Sequence, residues 1–297
     1  SREPRVYHGW PTLARTRAGR LLLAWSGGRE AHVCPFGRVD FMQSDDGGRT
    51  WTWPRTILDG AIDDRDAGLC VTSKGTILVT TFTSLAYAER KGELPERWRA
   101  VHDRLSPDAR RTELGCWFLR STDGGTTWSA RGDALVNSPH GPCTLADGRL
   151  LYAGKELWKS PARNGVCEST DDGASWRWLA EIPARDGDDP KDYHELHAVE
   201  APDGRVVVQI RNHNKANAGE TLQSESADGG RTWSPPRTIG VWGLPSQLLR
   251  LRDGRLLMSY GHRRPPFGNL ARTSADAGKT WSEPITISDD GAGGDLG

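Results

Sequence analysis

Apolar positions in this chain fall in short runs, and each run starts on a turn. Leu21-Leu22-Leu23 follows Ala18-Gly19-Arg20, and Ile77-Leu78-Val79 follows Lys74-Gly75-Thr76. The pattern returns at Asp147-Gly148-Arg149-Leu150-Leu151-Tyr152, at Asp203-Gly204-Arg205-Val206-Val207-Val208 and at Asp253-Gly254-Arg255-Leu256-Leu257-Met258. Asp-Gly between apolar runs is a hairpin signal, because Gly supplies the positive φ of a tight turn. The continuously apolar strand that follows suits the buried inner part of a sheet.

A second motif is interleaved with the first. It reads Ser44-Asp45-Asp46-Gly47-Gly48-Arg49-Thr50-Trp51 and recurs from Ser121, Ser169, Ser226 and Ser274, ending at Trp128, Trp176, Trp233 and Trp281. Ser and Asp side chains hydrogen-bond nearby backbone N–H groups and hold a turn, and the Trp ring packs on neighbouring strands. The motif lacks the dense oxygen ligands of a calcium loop, so its role is structural. Each unit predicts strand, hairpin, strand, loop, strand, Asp-containing hairpin, strand. That is a four-stranded antiparallel blade, and blades in series make an all-β propeller. Five blades are written, over 6–58, 67–136, 141–182, 195–240 and 245–287.

The two repeats together resemble the Asp-box sialidase (neuraminidase) superfamily over nearly the whole chain. The resemblance implies a six-bladed propeller as a single domain over residues 1–297, with the sixth blade absent from this sequence. Residues 84–114 form the one large insertion, and Glu96–Leu105 reads as a short amphipathic helix.

Composition narrows the function. Across 297 residues, 39 basic and 39 acidic side chains cancel, so no global field draws in nucleic acid or an anionic membrane. No apolar run approaches the roughly 20 residues needed to span a bilayer. Cys34, Cys70, Cys116, Cys143 and Cys167 include no Cys-x-x-Cys pair and read as small buried thiols. His194 and His197 are three apart on a predicted strand and point to opposite sides, so a metal-free, cofactor-free site is expected. Ser1-Arg2-Glu3-Pro4-Arg5 has no signal-peptide core, which leaves cytoplasmic and processed secreted chains both open. Oligomeric state is open as well.

Hairpin alternation gives the predicted disc a polarity. The repeated turns share one face, so the other face, with second–third loops and interblade links, is the functional candidate. His8, His32, His102, His140, His194, His197, His213 and His262 all fall there. The second strands end in Arg29-Glu30, Lys155-Glu156, Arg211 and His262-Arg263-Arg264, and the link Asp63-Asp64-Arg65-Asp66 enters the same mouth. The insertion is expected beside it, as a lid, a side wall or a dimer contact.

The resemblance then implies roles. Glu195-Leu196-His197-Ala198-Val199-Glu200 followed by Arg211 is similar to the sialidase stretch in which a Glu polarises a nucleophilic Tyr and an Arg grips the substrate carboxylate. Glu195 takes the first role and Arg211 the second; Arg263 or Arg264 resembles another carboxylate-binding Arg. Period two puts Glu195 and His197 on one strand face, both lining the pocket. Three departures stand out. The family's first Arg position holds Gly9, with Arg29 or Arg5 nearby. The loop expected to carry the acid Asp has none, leaving Glu30, His32 or Asp64. The nucleophilic Tyr belongs to the missing blade. Catalytic candidates are therefore Glu195, Asp64, His32 and Glu30, and substrate-binding candidates are Arg29, Arg65, His140, His197, Arg211, His262 and Arg263. The expected function is a retaining exo-glycosidase acting on an anionic, sialic-acid-like or uronate-containing glycan. A propeller polysaccharide lyase and a non-catalytic carbohydrate-binding propeller are the alternatives.

Overall fold

A computed structural model describes residues 7–90, 92–217 and 219–294. It contains five four-stranded antiparallel sheets, each with its strands in sequence order. The chain divides into two compact units, one running through Gly141 with Gly173–Ser175 added, the other comprising Pro142–Asp172 and the chain from Trp176.

In the first unit, β1 (Tyr7–Arg15), β2 (Leu21–Arg29), β3 (Arg38–Ser44) and β4 (Arg55–Leu58) form the first blade. The second holds β5 (Asp63–Val71), β6 (Ile77–Ser84), β7 (Cys116–Ser121) and β8 (Gly132–Asp133). Leu22, Ala24 and Phe41 pack against Leu69, Ile77 and Val79, and Trp128 closes this core with its ring edge-on to Phe41 at 5.2 Å. Each buried Leu, Ile, Val or Phe side chain here contributes roughly 1.5–3 kcal/mol. Asp63–Arg65, expected in a link, belong to β5 and pair with Ser84, Thr83 and Phe82.

The second unit holds three blades. They are β9 (Cys143–Thr144), β10 (Leu150–Lys155), β11 (Asn164–Ser169) and β12 (Arg177–Glu181); β13 (Tyr193–Glu200), β14 (Val206–Asn212), β15 (Thr221–Ser226) and β16 (Arg237–Thr238); and β17 (Ser246–Arg250), β18 (Leu256–His262), β19 (Gly268–Ser274) and β20 (Ile285–Ser288). Leu151, Val166, Val206, Val208 and Leu222 form one core, with Trp233 against it.

The Ser-Asp hairpins fold as their composition requires. Ser44 Oγ accepts from the Gly48 amide at 2.8 Å, and Asp46 accepts from the Thr50 amide at 2.9 Å and its hydroxyl at 2.6 Å. Ser226 with Asp228, and Ser274 with Asp276, repeat this. These bonds favour the ionised carboxylate, so Asp46 and Asp276 are held down at about 2.

The first strands carry a feature that the repeats do not announce. Between Gly9 and Thr12, Arg65 and Gly68, and His194 and His197, each strand gains one residue over its partner. The extra space holds a non-glycine residue in the left-handed region: Trp10 at φ 54°, Asp66 at 51° and Glu195 at 42°. These are β-bulges, which re-aim side chains.

The insertion forms α1 (Glu96–His102) and α2 (Pro107–Glu113). Ser106 caps α2 by accepting from the Ala109 amide, and Pro107 occupies its first turn. Trp98 of α1 sits in a small core with Cys34 and Tyr87. Cys34, Cys70, Cys116 and Cys167 are buried and Cys143 is half-buried.

Candidate functional site

In the second unit, the bulge on β13 turns Glu195 toward β14. Its Oε2 lies 2.6 Å from Arg211 Nη1. Arg211 Nε donates to His213 Nε2 at 2.8 Å, so the guanidinium is held on two sides. The donation requires an unprotonated Nε2, which makes His213 neutral. Burial, then the Arg211 charge, lower its pKa from 6.5. His194 packs on it with ring centroids 5.1 Å apart. Burial, with Lys155 next in effect, pushes His194 down to about 4. Lys155 is itself buried, its Nζ donating to the carbonyls of Lys191 and Tyr193 at 2.5 and 3.2 Å. The result is a partly exposed Glu–Arg–His–His group in which both imidazoles are neutral at pH 7. Arg263 lies close enough for its charge to act on His213.

His197 departs from the expectation. The bulge breaks the period of two, and His197 is buried with Nδ1 accepting from the Leu248 amide at 2.8 Å. It braces β17 and does not share Glu195's surroundings. His262 is half-buried at the end of β18, opposite Gly268.

In the first unit, Arg29 is also redirected. Its guanidinium is buried and bonds Asp63 through Nη1 and Nη2 at 2.7 and 2.9 Å. Nη2 also donates to the His32 carbonyl and Nη1 to Ser26 Oγ, both at 2.9 Å. Arg29 is thus a clamp between blades one and two, not an open carboxylate grip. Burial raises the Asp63 pKa, with Arg29 opposing. Arg65 is different: half-buried and with no ion pair among the described residues, its guanidinium carbon is 4.7 Å from the Trp10 ring centroid and 5.8 Å from that of Phe82. His32 is exposed, its Nδ1 3.2 Å from the Tyr7 hydroxyl and its ring edge-on to Trp10 at 5.0 Å. His140 is half-buried ahead of β9.

The two carboxyls expected as acids in this unit have other surroundings. Glu30 accepts from Arg97 and, at 2.8 Å, from Trp98 Nε1, which fastens α1 to the end of β2. Asp64 is fully buried; Oδ2 accepts from the Gly60 amide at 2.6 Å and Oδ1 has no hydrogen bond. Burial raises its pKa to about 7. Trp10 has no place among the sequence-derived candidates, and His213, expected on the functional face with the other histidines, has no assigned role there. For His213 the signal was present, two residues from Arg211 on the end of one strand. For Trp10 there was none, since its role follows from the bulge.

Among the described residues, no cluster of three or more His, Cys, Asp or Glu is arranged to hold a metal ion, and no helix is long and apolar enough to cross a membrane.

The repeat-borne blades match the family model of a BNR repeat-like domain over residues 105–294. The chain belongs to the BNR repeat-like family. It is also similar to a sialidase of Micromonospora viridifaciens, 26% identical over 256 residues, which is 84% of this chain and 32% of that one. The chain thus spans about a third of that curated relative. Among solved structures, a protein of unknown function from Dyadobacter fermentans superposes with TM-score 0.77 at 25% identity, covering 99% of this chain and 86% of that one. A Hadza microbial sialidase gives TM-score 0.70 at 20% identity, covering 95% and 58%. The NanB sialidase from Streptococcus pneumoniae gives 0.70 at 14% identity, covering 95% and 61%. These likenesses establish the fold class of this BNR repeat-like chain as a sialidase-like β-propeller of four-stranded antiparallel blades.

Proposed function

We propose that this protein is a sialidase-like exo-glycosidase acting on an anionic glycan with retention of configuration. One observation carries the reading: Arg211 is held between Glu195 and His213, and Nη2 makes no hydrogen bond among the described residues. A guanidinium fixed at Nε and one Nη presents its remaining N–H groups in a defined plane, suited to a sugar carboxylate. In the proposed reaction Arg211 orients the substrate through its carboxylate. A hydroxyl nucleophile bonds to the anomeric carbon and yields its proton to Glu195 while the glycosidic C–O bond breaks and the leaving oxygen takes a proton from solvent. Water then displaces that nucleophile, so that configuration is retained. In the first unit, Arg65 over Trp10 is the better candidate for anion contact, because Asp63 already occupies Arg29.

A second reading, a glycan-binding propeller without turnover, is supported by the engagement of Glu30 with α1 and the burial of Asp64. Turnover of an aryl sialoside separates the two. Hydrolysis by the wild-type chain, reduced at least a hundredfold in Glu195→Gln and in Arg211→Ala, supports the glycosidase. Binding of N-acetylneuraminic acid with no hydrolysis supports the binding module. An unsaturated product absorbing in the ultraviolet from a uronate polymer replaces both with a lyase.

A further inference from the structure

The first unit contains a cleft of about 490 Å³ between α1, the β2–β3 loop and the link 59–61. We propose that this cleft binds one acidic sugar unit, whose ring carries a carboxylate or sulfate. It shares no residue with the Glu195–Arg211 group, and the inference does not rest on the hydrolase reading.

The lining is donor-rich. Arg38 uses Nε on Asp40, at 3.0 Å, and its Nη groups make no hydrogen bond among the described residues. Arg97 uses Nη1 on Glu30 and lies over the Phe36 ring at 4.5 Å. A guanidinium stacked this way keeps its in-plane N–H groups directed past the ring edge. Arg104 is exposed and has no ion pair among the described residues. On the lining itself stand three cations and one carboxylate, Asp59, because the counter-ions Asp40 and Glu30 are not part of the lining. Such a surface favours a ligand rich in oxygen acceptors and carrying negative charge, with Asp59 accepting from a ring hydroxyl. Phe36, Val101 and Leu105 add apolar surface for a sugar's C–H face.

The walls are built before any ligand arrives. Trp98 anchors α1 in the Cys34–Tyr87 core and donates to Glu30. Arg110 Nη1 donates to the carbonyls of His102 and Leu105 at 2.5 and 2.6 Å, which fixes the turn carrying Arg104. Gly28 lines the cleft at φ 69°, and a Cβ there would come 3.0 Å from the Phe36 carbonyl oxygen. A preformed site loses less conformational entropy on binding.

Saturation-transfer NMR and calorimetry with methyl β-glucuronide, N-acetylglucosamine 6-sulfate, methyl glucoside and inorganic sulfate test the proposal. All titrations use the Arg211→Ala chain, in which the Glu195–Arg211 group has lost its carboxylate contact. The expected result is binding of one or both acidic sugars, weakened at least tenfold by adding Arg104→Glu and abolished by adding the cleft-filling Ala61→Trp. Arg104 and Ala61 are both exposed, so neither change disturbs the core. Absence of acidic-sugar binding to the Arg211→Ala chain overturns it, as does equal binding of methyl glucoside, binding of inorganic sulfate alone, or indifference to both cleft variants.

Discussion

Asp64→Asn isolates the cost of one buried acid. The carboxyl is fully buried, with a single hydrogen bond from the Gly60 amide and no partner for Oδ1. Its pKa rises from 3.8 to about 7, chiefly through burial. The native state therefore holds a proton that the unfolded chain releases between those values. Stability is highest below about pH 4, falls as pH rises toward 7 and then levels off. About three pKa units at 1.36 kcal/mol each set the loss at roughly 4 kcal/mol as an upper bound. Asparagine keeps the shape and an acceptor for the Gly60 amide but cannot ionise. Urea unfolding of both chains between pH 4 and 8, followed by Trp fluorescence, should give matching midpoints at pH 4. The variant should gain steadily to pH 7, by roughly 2–4 kcal/mol. A difference that is independent of pH, or one in which the variant is weaker at pH 8 than at pH 4, would refute the reasoning. Activity on an acidic glycan should survive the change, because a sealed carboxyl cannot reach substrate.

The remaining predictions concern the other engaged groups. His213 must be neutral to accept from Arg211, and its pKa lies below 6.5, so Arg211 should lose its brace as pH falls below that value. His213→Gln, which retains an acceptor without titrating, should flatten the acid limb of the KM profile, whereas His213→Ala should raise KM across the range; unchanged profiles in both refute the contact. Glu30→Gln keeps one acceptor but weakens the charge-assisted bond to Arg97, so amide exchange in Glu96–His102 should quicken several-fold while that in β10 stays the same. Exchange unaltered in α1 would show that the Trp98 core alone holds the helix.

Local chemistry made the blades legible. Asp-Gly turns and Ser-Asp hairpins close within a few residues, so their hydrogen bonds are implied by adjacent side chains, and the observed Ser44–Gly48 and Asp46–Thr50 contacts are of this kind. Among the candidate residues, the Glu195–Arg211 contact was legible because a strand end and its neighbour coincide there. Arg29 looked available because its partner Asp63 is 34 residues away and was read as part of a link. His197 was misassigned because period two assumes an unbroken strand, and nothing in Glu195's chemistry marks it for a positive φ.

That irregularity has an evolutionary corollary. Trp10, Asp66 and Glu195 occupy one backbone address in three blades, an aromatic in one, carboxylates in two. Because the extra residue is outside the ladder's hydrogen-bonded alternation, its identity can be exchanged while the sheet around it stays in register. Three of the five blades thus carry a socket in which the side chain can differ without disturbing the ladder around it.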